Sequence, residues 1–150
     1  MIVKSLDHLN QISKKISKKL ENGDCIFLIG EIGVGKTTFT RYLINNLQDQ
    51  KGLKETEVLS PTFNLLYEYE IKDLKIMHYD LYRINKTDEL EQLGIFSENE
   101  KTVKIIEWPD LIKTPLTNKL EIHLEYAEND KERKMKIYGH SKWKDFKNAI

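Results

Sequence analysis

Apolar side chains recur at Leu6, Leu9, Ile12, Ile16 and Leu20 while lysines fill the opposite face, which is the period of an amphipathic helix. Ser5 suits its N-cap and Gly23 its C-cap, so the pattern predicts a helix over residues 6–22. Cys25-Ile26-Phe27-Leu28-Ile29 then forms a short unbroken apolar run, as in a buried parallel strand. Phe39, Tyr42, Leu43 and Leu47 restore the helical period over 36–49, and 51–57 is polar and loop-like. Residues 74–79 and 103–107 read as further strands, and 87–93 as a short helix capped by Thr87 or Asp88 and stopped by Gly94. Leu120, Ile122, Leu124 and Tyr126 alternate with Glu121, His123 and Glu125, and residues 134–138 alternate again. The polar stretch 128–131 between them predicts a hairpin, and 142–149 reads as a terminal helix. Together these elements predict an α/β fold with a mixed, mostly parallel central sheet, antiparallel late in the chain.

The turn after the first apolar run carries the clearest chemistry. Gly30-Glu31-Ile32-Gly33-Val34-Gly35-Lys36-Thr37 fits G-x-x-x-x-G-K-[ST] in full, between a strand and a helix. Glycines let the backbone curl so that successive N–H groups face phosphate oxygens, and the following helix adds its positive end. Lys36 is placed to reach the β- and γ-phosphates, Thr37 to ligate Mg²⁺, and Thr38 to bond the α-phosphate. The predicted architecture is therefore the three-layer fold of P-loop NTPases, in one domain over 1–150.

A P-loop also needs a carboxylate at the end of a neighbouring strand to hold the metal. Asp80 ends one predicted strand and Glu107 another, and residue pattern alone leaves both open. Ser60-Pro61-Thr62-Phe63 lies between the P-loop helix and the first of these strands. Thr62 offers a hydroxyl and an N–H in a loop able to fold onto a γ-phosphate, and an ordinary loop explains it equally well. Asn85-Lys86-Thr87-Asp88 matches the guanine-reading N-K-x-D, but no buried strand precedes it and no D-x-x-G occurs, so Asp88 is read as helix-capping.

Charge and composition narrow the function. The 150 residues carry 24 Lys+Arg against 24 Asp+Glu, a balance that argues against a non-specific nucleic-acid binder, and no DNA partner is expected. One cysteine, Cys25, excludes a disulfide framework or a multi-Cys zinc site and is read as a core residue. His8, His78, His123 and His140 have no metal-ligand spacing, although His78 stands two residues before Asp80. The longest apolar run is far too short for a membrane, and the first residues lack a secretory pattern, so a cytoplasmic protein without membrane contact is expected. Only three of the basic residues are arginines, Arg41, Arg83 and Arg133, which makes each a candidate for a bidentate contact. The lysine face Lys14, Lys15, Lys18, Lys19 is read as solvated, with acidic neighbours Glu21 and Asp24.

Four blocks occur in order: G-x-x-G-x-G-K-T-T at Gly30–Thr38, S-P-T-F at Ser60–Phe63, H-x-D-L-Y-R at His78–Arg83 and E-W-P at Glu107–Pro109. On these blocks the whole chain resembles the bacterial TsaE (YjeE) ATPases, which act in making threonylcarbamoyladenosine at position 37 of tRNAs reading ANN codons. The resemblance implies a slow ATPase that binds ATP or ADP with Mg²⁺ and docks on the TsaB–TsaD complex, touching tRNA indirectly. It implies that Thr37 and Glu107 hold the Mg²⁺, that Asp80 orients water or completes the outer metal shell, and that Thr62 is a switch residue. It puts Trp108 at the nucleotide or the partner face, Arg133 near the nucleotide, and Leu6 or Asp7 near the base. Lys36, Asp80, Glu107 and Thr62 are thus the expected catalytic set, and Gly30, Gly33, Val34, Gly35, Lys36, Thr37, Thr38, Trp108 and Arg133 the nucleotide-binding set. A small-molecule kinase and a nucleotide sensor without useful turnover are the competing functions.

Overall fold

In the computed structural model, which describes residues 1–150, seven strands hydrogen-bond into one sheet. The elements in chain order are β1 (Ile2–Val3), α1 (Leu6–Ser17), β2 (Cys25–Ile29), α2 (Lys36–Gln50), β3 (Leu66–Ile71), β4 (Leu74–Asp80), α3 (Thr87–Gln92), β5 (Val103–Glu107), β6 (Lys119–Tyr126) and β7 (Arg133–Gly139). The sheet order is β1-β7-β6-β2-β5-β4-β3. Its centre, β6-β2-β5-β4, is parallel. Antiparallel pairs extend it at both edges, with β3 hairpinned to β4 on one side and β7 and β1 added to β6 on the other.

Side-chain alternation assigns each strand residue to a layer. Ile26, Leu28, Leu74, Ile76, Val103 and Ile105 pack with Ile12, Ile16, Phe39, Leu43 and Leu47 in one core beneath α1 and α2. Cys25, Phe27, Tyr79 and Ile106 point the other way, against Leu81, Ile84, Leu90 and Ile95 around α3. His78 and Asp80 share the parity of Ile76, and Glu107 that of Ile105. These three polar side chains therefore project onto the α2 face, at the carboxyl ends of parallel strands where α/β sheets bind ligands. Asp80 and Glu107 are direct register partners.

Several elements depart from the pattern reading. The first helix stops at Ser17, not near 22. Ser13 and Ser17 hydroxyls bond back to Asn10 O and Lys14 O, and Asp24 takes the Glu21 N–H at 2.8 Å, so local polar contacts replace the last helical turn. The helix at 87–92 begins after Lys86 with no side-chain cap, so neither Thr87 nor Asp88 caps it, while Gly94 follows in a left-handed turn as its stop. The terminal helix is instead two 3-10 turns, Ser141–Trp143 and Phe146–Ala149. Trp143 and Phe146 are buried three residues apart and meet edge-to-face at 5.3 Å, which the tighter turn accommodates. β1 and β3 have no counterpart in the pattern reading. No helix is long and apolar enough to cross a membrane.

Candidate nucleotide site

The segment Gly30–Lys36 leaves β2 and enters α2 through a curl that glycine permits. Gly35 takes φ 119°, in the left-handed region. Gly30 matters for space: a Cβ there would lie 2.4 Å from Leu124 O and 2.8 Å from Val34 Cγ1. The loop thus lies directly on β6. Tyr126 holds it from the same strand, its hydroxyl donating to Ile32 O at 3.1 Å.

The ammonium of Lys36 lies at the centre, donating to Gly30 O at 2.6 Å and Glu31 O at 2.9 Å. The residue is only 5% exposed. Burial pushes its pKa down, and the Glu107 and Asp80 carboxylates pull it partly back. The Trp108 ring covers the cation, with Nζ 4.5 Å from its centroid. Trp108 itself is in the left-handed region, φ 57°, ψ 59°. Pro109 bars the residue before it from the right-handed helical region, and Tyr82, 4.8 Å away ring to ring, holds the indole in place.

Around this cation the elements deliver one group each. Thr37, on the first turn of α2, has Oγ1 3.3 and 3.4 Å from the two Glu107 oxygens. His78, on β4, sits 2.8 Å from Glu107 Oε2 through Nε2. Thr62 donates to Asp80 Oδ2 at 3.0 Å, and Ser60 and Thr62 hydroxyls lie 2.9 Å apart. Asp80 Oδ1 accepts from Tyr82 N at 2.9 Å. A cavity of about 180 Å³ is lined by Gly33, Lys36, Thr37, Thr62, Asp80, Glu107 and Trp108, together with Ile32, Ser60 and Tyr82. The last three carried no assigned role in the sequence: Ser60 and Tyr82 stood only as members of the S-P-T-F and H-x-D-L-Y-R blocks, and Ile32 at a variable position of the glycine loop.

Two adjoining cavities share Gly33 with the first. One of about 140 Å³ runs under the loop, bounded by Gly35, Lys36, Thr37, Thr38 and Glu107. The other, about 170 Å³, lies beyond it and mixes Val3, Leu6, Leu9 and Val34 with Thr38 and Arg133. Arg133 is therefore not in the Lys36 cavity. Its Nε donates to Val34 O at 3.0 Å and its Nη1 to Asp130 O and Glu132 O, which ties β7 to the back of the loop. Leu6 lines this outer cavity, whereas Asp7 accepts from Gln11 within α1. Arg83 stacks over exposed Phe63 at 5.6 Å and lines none of the three. The N-K-x-D match lies at the start of α3, outside them as well.

Thr37 Oγ1 and a Glu107 carboxylate are hard oxygen donors, two in number. That set fits Mg²⁺, which takes one or two protein carboxylates and keeps waters and phosphates for the rest. No group of three or more His, Cys, Asp or Glu that could by itself hold a metal ion occurs in the chain.

A family model described as "Threonylcarbamoyl adenosine biosynthesis protein TsaE" matches residues 3–135. Proteins named "tRNA threonylcarbamoyladenosine biosynthesis protein TsaE" are similar over most of the chain. The one from Aquifex aeolicus is 33% identical over 138 residues, 92% of this chain and 94% of its own. That from Rickettsia typhi is 37% identical over 120 residues, 79% and 81% of the two chains. That from Bacillus subtilis is 34% identical over 122 residues, 79% and 72%. Among solved structures, Bacillus subtilis YdiB superposes with a TM-score of 0.73 at 26% identity, covering 97% of this chain and 88% of that one.

Proposed function

The chain belongs to the TsaE family of tRNA threonylcarbamoyladenosine biosynthesis proteins, and from that premise we propose that it is a single-domain, Mg²⁺-dependent ATPase acting on the TsaB–TsaD complex. The observation that carries the reading is the convergence of Lys36, Thr37, Thr62, Asp80 and Glu107 on one cavity at the mouth of the P-loop. The triphosphate lies along Gly33–Thr38, and the base enters the outer cavity beside Leu6, Leu9 and Val34.

The residues divide the work. Lys36 leaves the Gly30 and Glu31 carbonyls for the β- and γ-phosphate oxygens, and charge developing there meets a cation already stripped of most water. Thr37 and Glu107 hold the Mg²⁺. When bound, the metal would supply neutralisation of the charge that develops on the phosphate oxygens. Asp80 accepts from the attacking water and aligns it, while Thr62, released from Asp80, turns its hydroxyl and N–H to the γ-phosphate. Cleavage of the terminal P–O bond leaves ADP and phosphate, and the Ser60–Phe63 loop loses its anchor. None of the ten residues lining the Lys36 cavity is an arginine. A P-loop site without an arginine finger is slow, which supports a partner-completed reaction.

Steady-state phosphate release with Mg²⁺–ATP tests the catalytic part of this reading. The chain is expected to turn over slowly, and Lys36→Ala to lower the rate by about 100-fold or more while keeping a cooperative thermal transition. An unchanged rate in that variant would overturn the assignment.

A further inference from the structure

The Glu107 carboxylate has a second buried polar group on it, and the reading above leaves that group without a task. His78 is fully buried and Glu107 is 3% exposed. Nε2 of the ring lies 2.8 Å from Glu107 Oε2. The other ring nitrogen, Nδ1, is buried and has no hydrogen-bond partner among the protein's own groups. On the same face of β4, Asp80 lies on the site side of His78, while Leu74 and Ile76 on the other side fill space without polar atoms. An aliphatic residue at 78 would continue that core and leave no unpaired nitrogen. The position keeps a histidine despite this cost.

We propose that His78 is a positioning residue that fixes the Glu107 carboxylate in the orientation needed for the metal; the inference rests on reading Glu107 as a metal ligand. The tautomer follows from the environment. A proton on Nδ1 would be a buried donor with no acceptor, so the ring carries its proton on Nε2 and donates it to Oε2. That bond removes the freedom of the terminal glutamate torsion. Oε1 has no contact with the imidazole; Thr37 Oγ1 stands 3.4 Å from it and 3.3 Å from Oε2, and Glu107 lines the Lys36 cavity. Mg²⁺ tolerates little departure from its preferred geometry, so a carboxylate already aimed binds it better than one free to rotate. The sequence already sets this up: His78 and Asp80 alternate onto one face of β4, and the parallel register brings Glu107 opposite Asp80 and diagonal to His78.

The test uses ADP, so hydrolysis does not enter. Binding of a fluorescent ADP analogue is followed with EDTA, and the Mg²⁺ midpoint is then titrated on the ADP-loaded protein. His78→Leu is expected to raise that midpoint about tenfold while changing metal-free ADP affinity by less than about twofold. His78→Gln places an N–H near the same point and is expected to return the midpoint to within about threefold of the starting protein. A purely packing role would not be rescued in this way. A starting-protein midpoint in His78→Leu would overturn the proposal provided Glu107→Ala shifts it. Should Glu107→Ala leave the midpoint unmoved, the metal reading of Glu107 fails, and this inference with it. If His78→Leu does not fold, ¹⁵N spectra of the unsubstituted protein decide. Protonated Nε2 with bare Nδ1 supports the assignment, and the opposite tautomer overturns it.

Discussion

Lys36 is a cation kept in place by its own loop, bonded to two carbonyls and covered by an indole, so in the proposed function phosphate oxygens would replace partners that are already there. The same economy holds at Asp80, whose two oxygens are occupied by Thr62 and by the Tyr82 N–H. Thr62→Val removes the hydroxyl and keeps the shape. Turnover is expected to fall about 10- to 100-fold with ADP affinity nearly unchanged, a split read by comparing kcat with an ADP titration. The residues that carry charge or a phosphate-binding backbone were legible in the sequence, because G-x-x-x-x-G-K-T requires particular atoms at particular spacings. The wall positions of Ser60, Tyr82 and Ile32 were not, since Ser60 and Tyr82 stood in their blocks without a role and Ile32 fills a variable position of the glycine loop. Arg133 was expected near the nucleotide. It reaches the loop from behind, through Val34 O, and lines the outer cavity.

At the scale of elements, the P-loop is shaped by what presses on it. Gly30 has no room for a side chain against β6, while at Gly35 nothing lies within 4 Å and the constraint is backbone conformation alone. Gly30→Ala is therefore expected to cost about 3 kcal/mol and to displace the loop. Gly35→Ala, paying left-handed strain only, is expected to cost about 1–2 kcal/mol. Urea unfolding of the two variants checks the order; equal losses would mean that the contact with Leu124 O is not what holds the loop. β2 was legible because burial on both faces writes an unbroken apolar run, and β6 because its half-buried face alternates apolar with polar residues. β3 escaped the reading although Tyr67, Tyr69 and Ile71 alternate with Glu68 and Glu70, because its edge position leaves it half polar. The two-residue β1 is too short to write any period. The end of α1 was overrun because Leu20 keeps the helical spacing after the backbone has left the helix.

For the molecule as a whole, the chain end locks the base of the sheet. Trp143 is buried and donates through Nε1 to Asp24 at 3.3 Å, and Lys142 pairs with the same carboxylate at 2.6 Å. Burial raises the Asp24 pKa, and Lys142 and the Glu21 N–H offset part of that rise. A carboxyl whose folded-state pKa lies above its unfolded value favours the fold when protonated, and that contribution is lost as pH rises through the folded value. Lys142→Ala is therefore expected to destabilise by about 1–2 kcal/mol at pH 7. The difference from the unsubstituted protein should shrink as pH falls through the raised folded-state value of Asp24, and be smallest below the ordinary aspartate value of 3.8, because the protonated carboxyl no longer pairs with Lys142. Chemical unfolding at the two pH values checks this, and a pH-independent difference would contradict it. In the proposed function the partner would act at the opposite end, where none of the residues lining the Lys36 cavity is an arginine and the Ser60–Phe63 loop borders the site. The most direct measurement is therefore Mg²⁺-dependent ATP hydrolysis with and without the TsaB–TsaD complex, with Glu107→Ala alongside. Marked stimulation by the complex, lost in Glu107→Ala, is the predicted result. ATP binding without any stimulation would contradict the account and leave a nucleotide sensor in its place.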